Sequence, residues 1–263
     1  MKHELPRGIL HRGASETEPG PARYWPAADL APFVEHFWIV RWDLIEPRVV
    51  ETLPHPSIHL VLEAGRSEVV GVMTRRFTRE LRGRGRVVGT KFRPGAFRPF
   101  LAQPAAALTD RRTPVGELFG ARADRHCAMA HRHDDDLSSI AVVEGLLRSR
   151  RPVADEAMAL AGRVARRIAE DREVTRVDRL AAAFETTVRS LQRLFAEYVG
   201  VSPKRVIQRY RLIEAVERVP AEGRVDWVDL ALELGFADQA HFIRAFKSTI
   251  GRTPAEYARR LRA

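Results

Sequence analysis

Cysteine is almost absent: Cys127 is the single one in 263 residues. A lone thiol closes no internal disulfide and builds no thiolate zinc site by itself, and such usage fits a reducing cytoplasm. There is no run of about eighteen or more apolar residues, so no membrane-spanning helix is expected. The opening MKHELPRGILHRG carries a lysine but no apolar stretch long enough for a signal peptide. Lysine is scarce too. Only Lys2, Lys91, Lys204 and Lys247 are lysines among 44 basic residues, so arginine bears the positive charge. These absences point away from disulfide scaffolds, membrane proteins and thiolate metal centres.

What is present is ordinary globular chemistry with an excess of one sign. Hydrophobic residues make up 45% and charged residues 30%, and the length suits two domains with cores of their own. A net charge of +10 and a pI near 10.6 suggest a polyanionic partner. Residues 1–149 carry 22 basic against 18 acidic side chains, and residues 150–263 carry 22 against 16. Charge alone therefore does not locate the binding surface.

The first third reads as β structure. FVEHFWIVRWDL (33–44), SIHLVLE (57–63), EVVGVMT (68–74) and RVVGTKF (86–92) are β-branched and aromatic runs separated by Gly, Pro and charge. Phe37, Ile39 and Arg41 alternate with Trp38, Val40 and Trp42, a strand expected to be covered on both faces. From about Ala96 the pattern turns helical, through PGAFRPFL, VGELFG and LSSIAVVEGLLRSR. Proline near residues 150–152 marks a boundary, and ADEAMALAGRVARRIAED (154–171) opens a second, all-helical part. The expected fold class is α+β in two domains. Residues 1–150 form a β-rich, barrel-like domain ending in helices; residues 151–263 form an all-α domain.

That helical part contains one pattern twice. Arg193, Phe195, Gly200, Ser202 and Pro203 recur as Arg244, Phe246, Gly251, Thr253 and Pro254 at a fixed offset of 51, and Leu180-Ala181 recurs as Leu230-Ala231 at an offset of 50. Such an offset signals a duplicated structural unit. Val188, Leu191, Phe195 and Tyr198 make one helical stripe, and Phe242, Phe246 and Ile250 another. Gly200 and Gly251 suit left-handed helix ends, and Ser202 and Thr253 suit N-caps before Pro203 and Pro254. A short helix precedes each longer one, RVDRLAAAF (176–184) and WVDLALELG (227–235). Gly235 fits a turn that needs positive φ, whereas the first copy has no glycine there. Short helix, tight turn, longer helix with a polar face: each unit is a helix-turn-helix. The run KRVIQRYRLIEAVERV, free of Gly and Pro until Pro220, predicts a stiff helix joining the units.

A helical bundle without nucleic acid is the bland alternative, and the exposed faces argue against it. Arg189, Gln192, Arg193 and Ala196 point outward in the first unit, and Gln239, Ala240, Ile243, Arg244 and Lys247 in the second. Arg and Gln pair bidentately with guanine and adenine edges, and an exposed isoleucine can touch a thymine methyl.

On these residues the chain resembles the AraC/XylS family of bacterial transcription regulators. ALELGFADQAHFIRAFKSTIGRTPAEYARR (231–260) and LAAAFETTVRSLQRLFAEYVGVSPKRVIQRYRLIEAV (180–216) carry the resemblance. It implies recognition helices in successive major-groove segments of double-stranded DNA, with Arg189, Gln192, Arg193, Gln239, His241, Ile243 and Arg244 reading bases. His241 is added by the resemblance alone. Lys204 and Arg252, near helix starts, are assigned to phosphates together with Thr187, Arg205 and Lys247. Phe184 departs from a Gly-aromatic pair common in the first unit. HPSIHLVLEAG (55–65) and VVGTKFRPGAFRPFL (87–101) are similar to a β-rich domain found ahead of such units, which implies effector sensing or oligomerisation. The resemblance leaves room for RNA polymerase, a small-molecule effector and a second copy as partners, in a cytoplasmic, nucleoid-associated protein. No enzymatic activity and no cofactor are expected.

Two other clusters merit weighing. His55, His59 and Glu63 recur every four residues, yet His55 precedes Pro56, so at most two ligands share a strand face and no metal is expected there. His126, Cys127, His131, His133 and Asp134–Asp136 read as a polar connection whose acids serve the next helix start. Cys127 lacks an activating context for a nucleophile. Trp25, Trp38 and Trp42 read as core. The rival function is a DNA-targeted enzyme with a metal-dependent amino-terminal domain.

Overall fold

A computed structural model describes residues 22–219 and 225–261. Pro220 and the segment weighed as a signal peptide lie outside them. Six strands, β1 (Ala22–Tyr24), β2 (Val34–Thr52), β3 (His59–Glu63), β4 (Arg66–Val70), β5 (Phe77–Phe92) and β6 (Arg112–Pro114), form one antiparallel sheet in the order β1-β2-β5-β3-β4-β6. Among the described residues three α-helices complete the amino-terminal half: α1 (Val115–Phe119), α2 (Ala121–Arg132) and α3 (Asp136–Ser149). Seven follow: α4 (Glu156–Glu170), α5 (Val177–Ala183), α6 (Val188–Tyr198), α7 (Pro203–Arg218), α8 (Trp227–Glu233), α9 (Gln239–Ile250) and α10 (Pro254–Leu261).

The sheet is open, which corrects the barrel-like closure expected from the sequence. Both edge strands are three residues long, and Pro114 in β6 has no N–H to give a further strand. The face that a barrel would enclose is covered by helices instead. Phe119, Cys127, Val143 and Leu147 are buried in the same cluster as Phe37, Leu60 and Val88.

β2 and β5 run well past the segments legible in the sequence. They pair from Val34–Phe92 to Thr52–Phe77, with register shifts between Val34 and His36 and between Leu44 and Arg48. Their inner halves show why the indoles need glycine partners. Trp38 lies opposite Gly89 and Trp42 opposite Gly85. A Cβ on Gly89 would sit 2.0 Å from the Trp38 ring, and one on Gly85 2.1 Å from Trp42, so the rings cover backbone that a side chain would occupy. Trp25, expected in the core, is 71% exposed.

Two apolar cores result. The larger runs from Leu30 to Ile207 without a break, so α4, α5 and α6 share it with the sheet and α1–α3. Gly95 marks a close approach of the sheet half to α4: its φ is +85°, and a Cβ there would meet Ala161 at 3.0 Å. The smaller core joins the second half of α7 to α8, α9 and α10, and takes in Leu53 from the end of β2. α7 therefore contributes Val206 and Ile207 to one core and Leu212, Ile213 and Val216 to the other.

Candidate nucleic-acid interface

The two repeat units match at the level of single hydrogen bonds. In the first, α5 turns into α6 with Thr186 N–H bonded to Ala181 O at 3.0 Å; in the second, α8 turns into α9 with Phe236 N–H bonded to Ala231 O at 3.0 Å. The residue before each of these donors is left-handed, Glu185 at φ +49° and Gly235 at φ +75°. The first unit thus forces a glutamate into the conformation that glycine adopts freely in the second.

Capping fixes where the longer helices begin. Thr187 Oγ1 accepts from Ser190 N–H at 3.1 Å to start α6, and Asp238 accepts from His241 N–H at 2.6 Å to start α9. After each helix the chain reverses at a left-handed glycine, Gly200 (φ +100°) and Gly251 (φ +82°). Ser202 then caps α7 through Arg205 N–H. Thr253 caps α10, accepting from Glu256 N–H at 3.3 Å while the Glu256 carboxylate accepts from Thr253 N–H at 2.7 Å, a reciprocal capping box.

With the ends fixed, the faces follow. Leu191 and Phe195 are buried in α6, and Phe242, Phe246 and Ile250 in α9; Val188, expected on the buried stripe, is exposed. Arg189, Gln192 and Arg193 lie exposed on the opposite side of α6, and among the described residues neither arginine has an ion-pair partner. On α9, Arg244 and Lys247 are exposed and Gln239 is partly so. Two residues differ from the simple helical face. Ile243 is half-buried and packs against the smaller core, so it is not the unsupported apolar residue expected. His241 rests its ring edge-on against Phe236, with centroids 5.4 Å apart.

Of the residues assigned to phosphate, Lys204 and Arg205 are exposed in the first turn of α7, Lys247 is exposed, and Thr187 is committed to its cap. Arg252 stands apart. Its Nη2 donates to both Glu51 oxygens, at 3.1 and 2.9 Å, and Glu51 is only 5% exposed. Arg252 is therefore held by the far end of β2 and does not face solvent as a phosphate contact would. Arg76 joins the same contact: its Nε lies 3.4 Å from Glu51, its backbone N–H donates to Thr249 O at 2.9 Å, and its Nη1 donates to Ile250 O. No local pattern signals this junction, because Glu51 and Arg252 lie 201 residues apart.

The other clusters dissolve into structural contacts. His59 Nδ1 accepts from Trp38 Nε1–H at 3.4 Å, Glu63 pairs with Arg79, and the His55 ring packs edge-on against Tyr210. Asp135 caps α3 through Ser138 N–H at 2.7 Å. Asp136 accepts from Tyr24, Arg41 and Arg86; burial would raise its titration, but the bonds from Arg41 and Tyr24 hold it below the usual aspartate range. Cys127 is buried, and that burial pushes its thiol up to about 11. Among the described residues no three His, Cys, Asp or Glu side chains gather as a metal site requires. No described helix is long and apolar enough to cross a membrane.

A family model described as a helix-turn-helix domain matches residues 180–260, which spans both units and the helix between them. Residues 180–260 are an AraC/XylS-type tandem helix-turn-helix domain. The AraC/XylS-type domain is 36% identical over 67 residues to the probable transcription factor PqrA of Proteus vulgaris, covering 26% of this chain and 54% of that protein. It is 27% identical over 81 residues to the virulence regulon transcriptional activator VirF of Yersinia enterocolitica, covering 31% of this chain and 30% of that one. The chain thus matches about a third of VirF's length. A second family model, described as a domain of unknown function (DUF6597), matches residues 22–114, the sheet ahead of the AraC/XylS-type domain. Among solved structures the chain is similar to ToxT from Vibrio cholerae, at 12% identity and a TM-score of 0.40 over 84% of this chain and 97% of that one.

Proposed function

We propose that the chain is a sequence-specific DNA-binding transcription regulator. The observation that carries this reading is the pair of equivalent helices α6 and α9. Each is fixed by an N-cap and a left-handed turn, and each turns arginine and glutamine outward on the face its core leaves free. Arg189, Gln192 and Arg193 read base edges in one major-groove segment, and Gln239, His241, Ile243 and Arg244 in the next. Lys204, Arg205, Lys247 and the cap at Thr187 meet phosphates, and Arg252 does so only once Glu51 releases it. The relatives' descriptions as a transcriptional activator and a probable transcription factor support the reading.

Residues 151–263 act as the DNA-binding half and residues 1–150 as the regulatory half, with RNA polymerase, an effector and a second copy as partners of the cytoplasmic protein. The rival reading of a metal-dependent enzyme has no specific observation in its favour. Selection from random DNA with the full chain tests the proposal. The expected site holds two unlike elements about 10 base pairs apart on one face, without palindromy. Inserting five base pairs between them should reduce binding to the non-specific level. Equal binding to the spaced site would overturn the tandem reading.

A further inference from the structure

A cavity of about 300 Å³ opens where three parts of the chain meet: residues 72–75 between β4 and β5, the first half of α7, and the end of α9. Arg209 of α7 lines it and is only 7% exposed. One arm of its guanidinium is used, since Nη2 donates to Met73 O at 2.9 Å. The other is not: Nη1 is buried without an acceptor. A buried cation with an unused donor destabilises a fold unless something compensates it.

The surroundings do not compensate it. Asp110 is near enough to favour the charged form, but its two oxygens accept from Thr74 N–H and Thr74 Oγ1, each at 2.6 Å. Burial pulls Arg209 down to about 10, and Arg205 pushes in the same direction. Arg75 and Arg205 stand exposed at the rim, and among the described residues neither has an ion-pair partner. Three guanidinium groups therefore share one cavity, with Ser248 and Thr249 of α9 adding hydroxyls.

We infer that this cavity binds a compact, multiply charged oxyanion, a phosphate ester or short polycarboxylate, with Arg209 Nη1 as its inner contact and Arg75 and Arg205 at the mouth. A monoanion with a long tail would leave two of the three cations unmatched. Arg–oxyanion bonds are charge-assisted and among the stronger hydrogen bonds. The bound anion would touch the sheet half, α7 and α9 at once, so it would favour one setting of the recognition helices over others. That consequence rests on the DNA-binding reading; the site itself does not.

The test uses the full chain without DNA. Inorganic phosphate, citrate and decanoate are titrated separately at constant ionic strength against chloride, and binding is followed by calorimetry and thermal unfolding. The expected result is saturable binding of phosphate or citrate at one site per chain, with a rise in Tm, and weaker binding of decanoate. Arg209→Met should abolish it and Arg209→Lys should keep part of it. Should Arg209→Met fail to fold, the exposed pair Arg75→Gln and Arg205→Gln should weaken it about tenfold. No saturation beyond the chloride control, unchanged affinity in the folded variants, or tighter binding of decanoate would each overturn the inference. Because no DNA is present, failure here is distinct from failure of the regulator reading.

Discussion

At the turn of each helix-turn-helix one residue must take a positive φ, and the two copies solve this differently. Gly235 does so without strain, and a Cβ there would also lie 2.4 Å from Thr175 Cγ2. Gly235→Ala should lower unfolding free energy by about 1–3 kcal/mol, whereas Glu185→Gly should leave it unchanged or raise it by up to ~1 kcal/mol. Denaturant titration of both variants checks this, and a neutral Gly235→Ala would refute it. Side chains on the outward faces divide by role. Arg193→Ala and Gln239→Ala should each weaken specific binding by about 1–3 kcal/mol and relax preference at separate base pairs. Lys204→Ala should weaken every sequence alike. Equal losses on specific and random DNA for all three would end that division. On α6 the 3.6-residue periodicity separated Leu191 and Phe195 from Arg189, Gln192 and Arg193, but it misplaced Val188 in the first turn. The cover over Ile243 was not legible, since it comes from the core beneath the second unit, and nothing in the pattern of α7 marks Arg209 as buried against the β4–β5 connection.

Among the elements, α7 matters most because it enters both cores. Val206 is fully buried in one and Ile213 is 2% exposed in the other. Val206 N–H also bonds to Ser202 O at 3.1 Å, closing the first turn. Val206→Pro with Ile213→Gly removes that bond and both side chains. It should cost several kcal/mol of stability and bring the affinity for a two-element site down toward that for one element. Calorimetry and binding to one- and two-element DNA read the two effects separately; unchanged two-element preference would show that α7 is no spacer. The linker and its repeats were legible in the sequence because caps, glycines and apolar stripes recur at one offset. The outer halves of β2 and β5 were not, since IEPRVVET and FTRELRGRGR place charge on both faces of a ribbon that leaves the core. α2 escaped notice for the opposite reason: ARADRHCAMAHR buries only Ala123, Cys127 and Ala130, too small a stripe to stand out.

For the whole molecule, the halves separated by residue pattern are joined by packing. Thr109 Oγ1 donates to Gly200 O at 2.6 Å, Arg98 pairs with Glu197 at 2.6 Å, and the larger core passes through both halves. The junction at Glu51 adds a contact to the second unit that is open to test. Glu51→Gln should lower stability by about 1–3 kcal/mol by removing the buried charge between Arg252 and Arg76. It should also raise affinity for all DNA sequences alike if Arg252 then reaches a phosphate, as a filter-binding series on random DNA would record. Higher stability with unchanged affinity would refute the junction's role. Glu51 and Arg252 are separated by 201 positions, so the outer end of β2 leaves the ribosome long before its partner. Over that interval the end of β2, with Leu53 beside it, has no α9 or α10 to cover it. The nascent chain must carry an uncovered tip until α9 and α10 arrive.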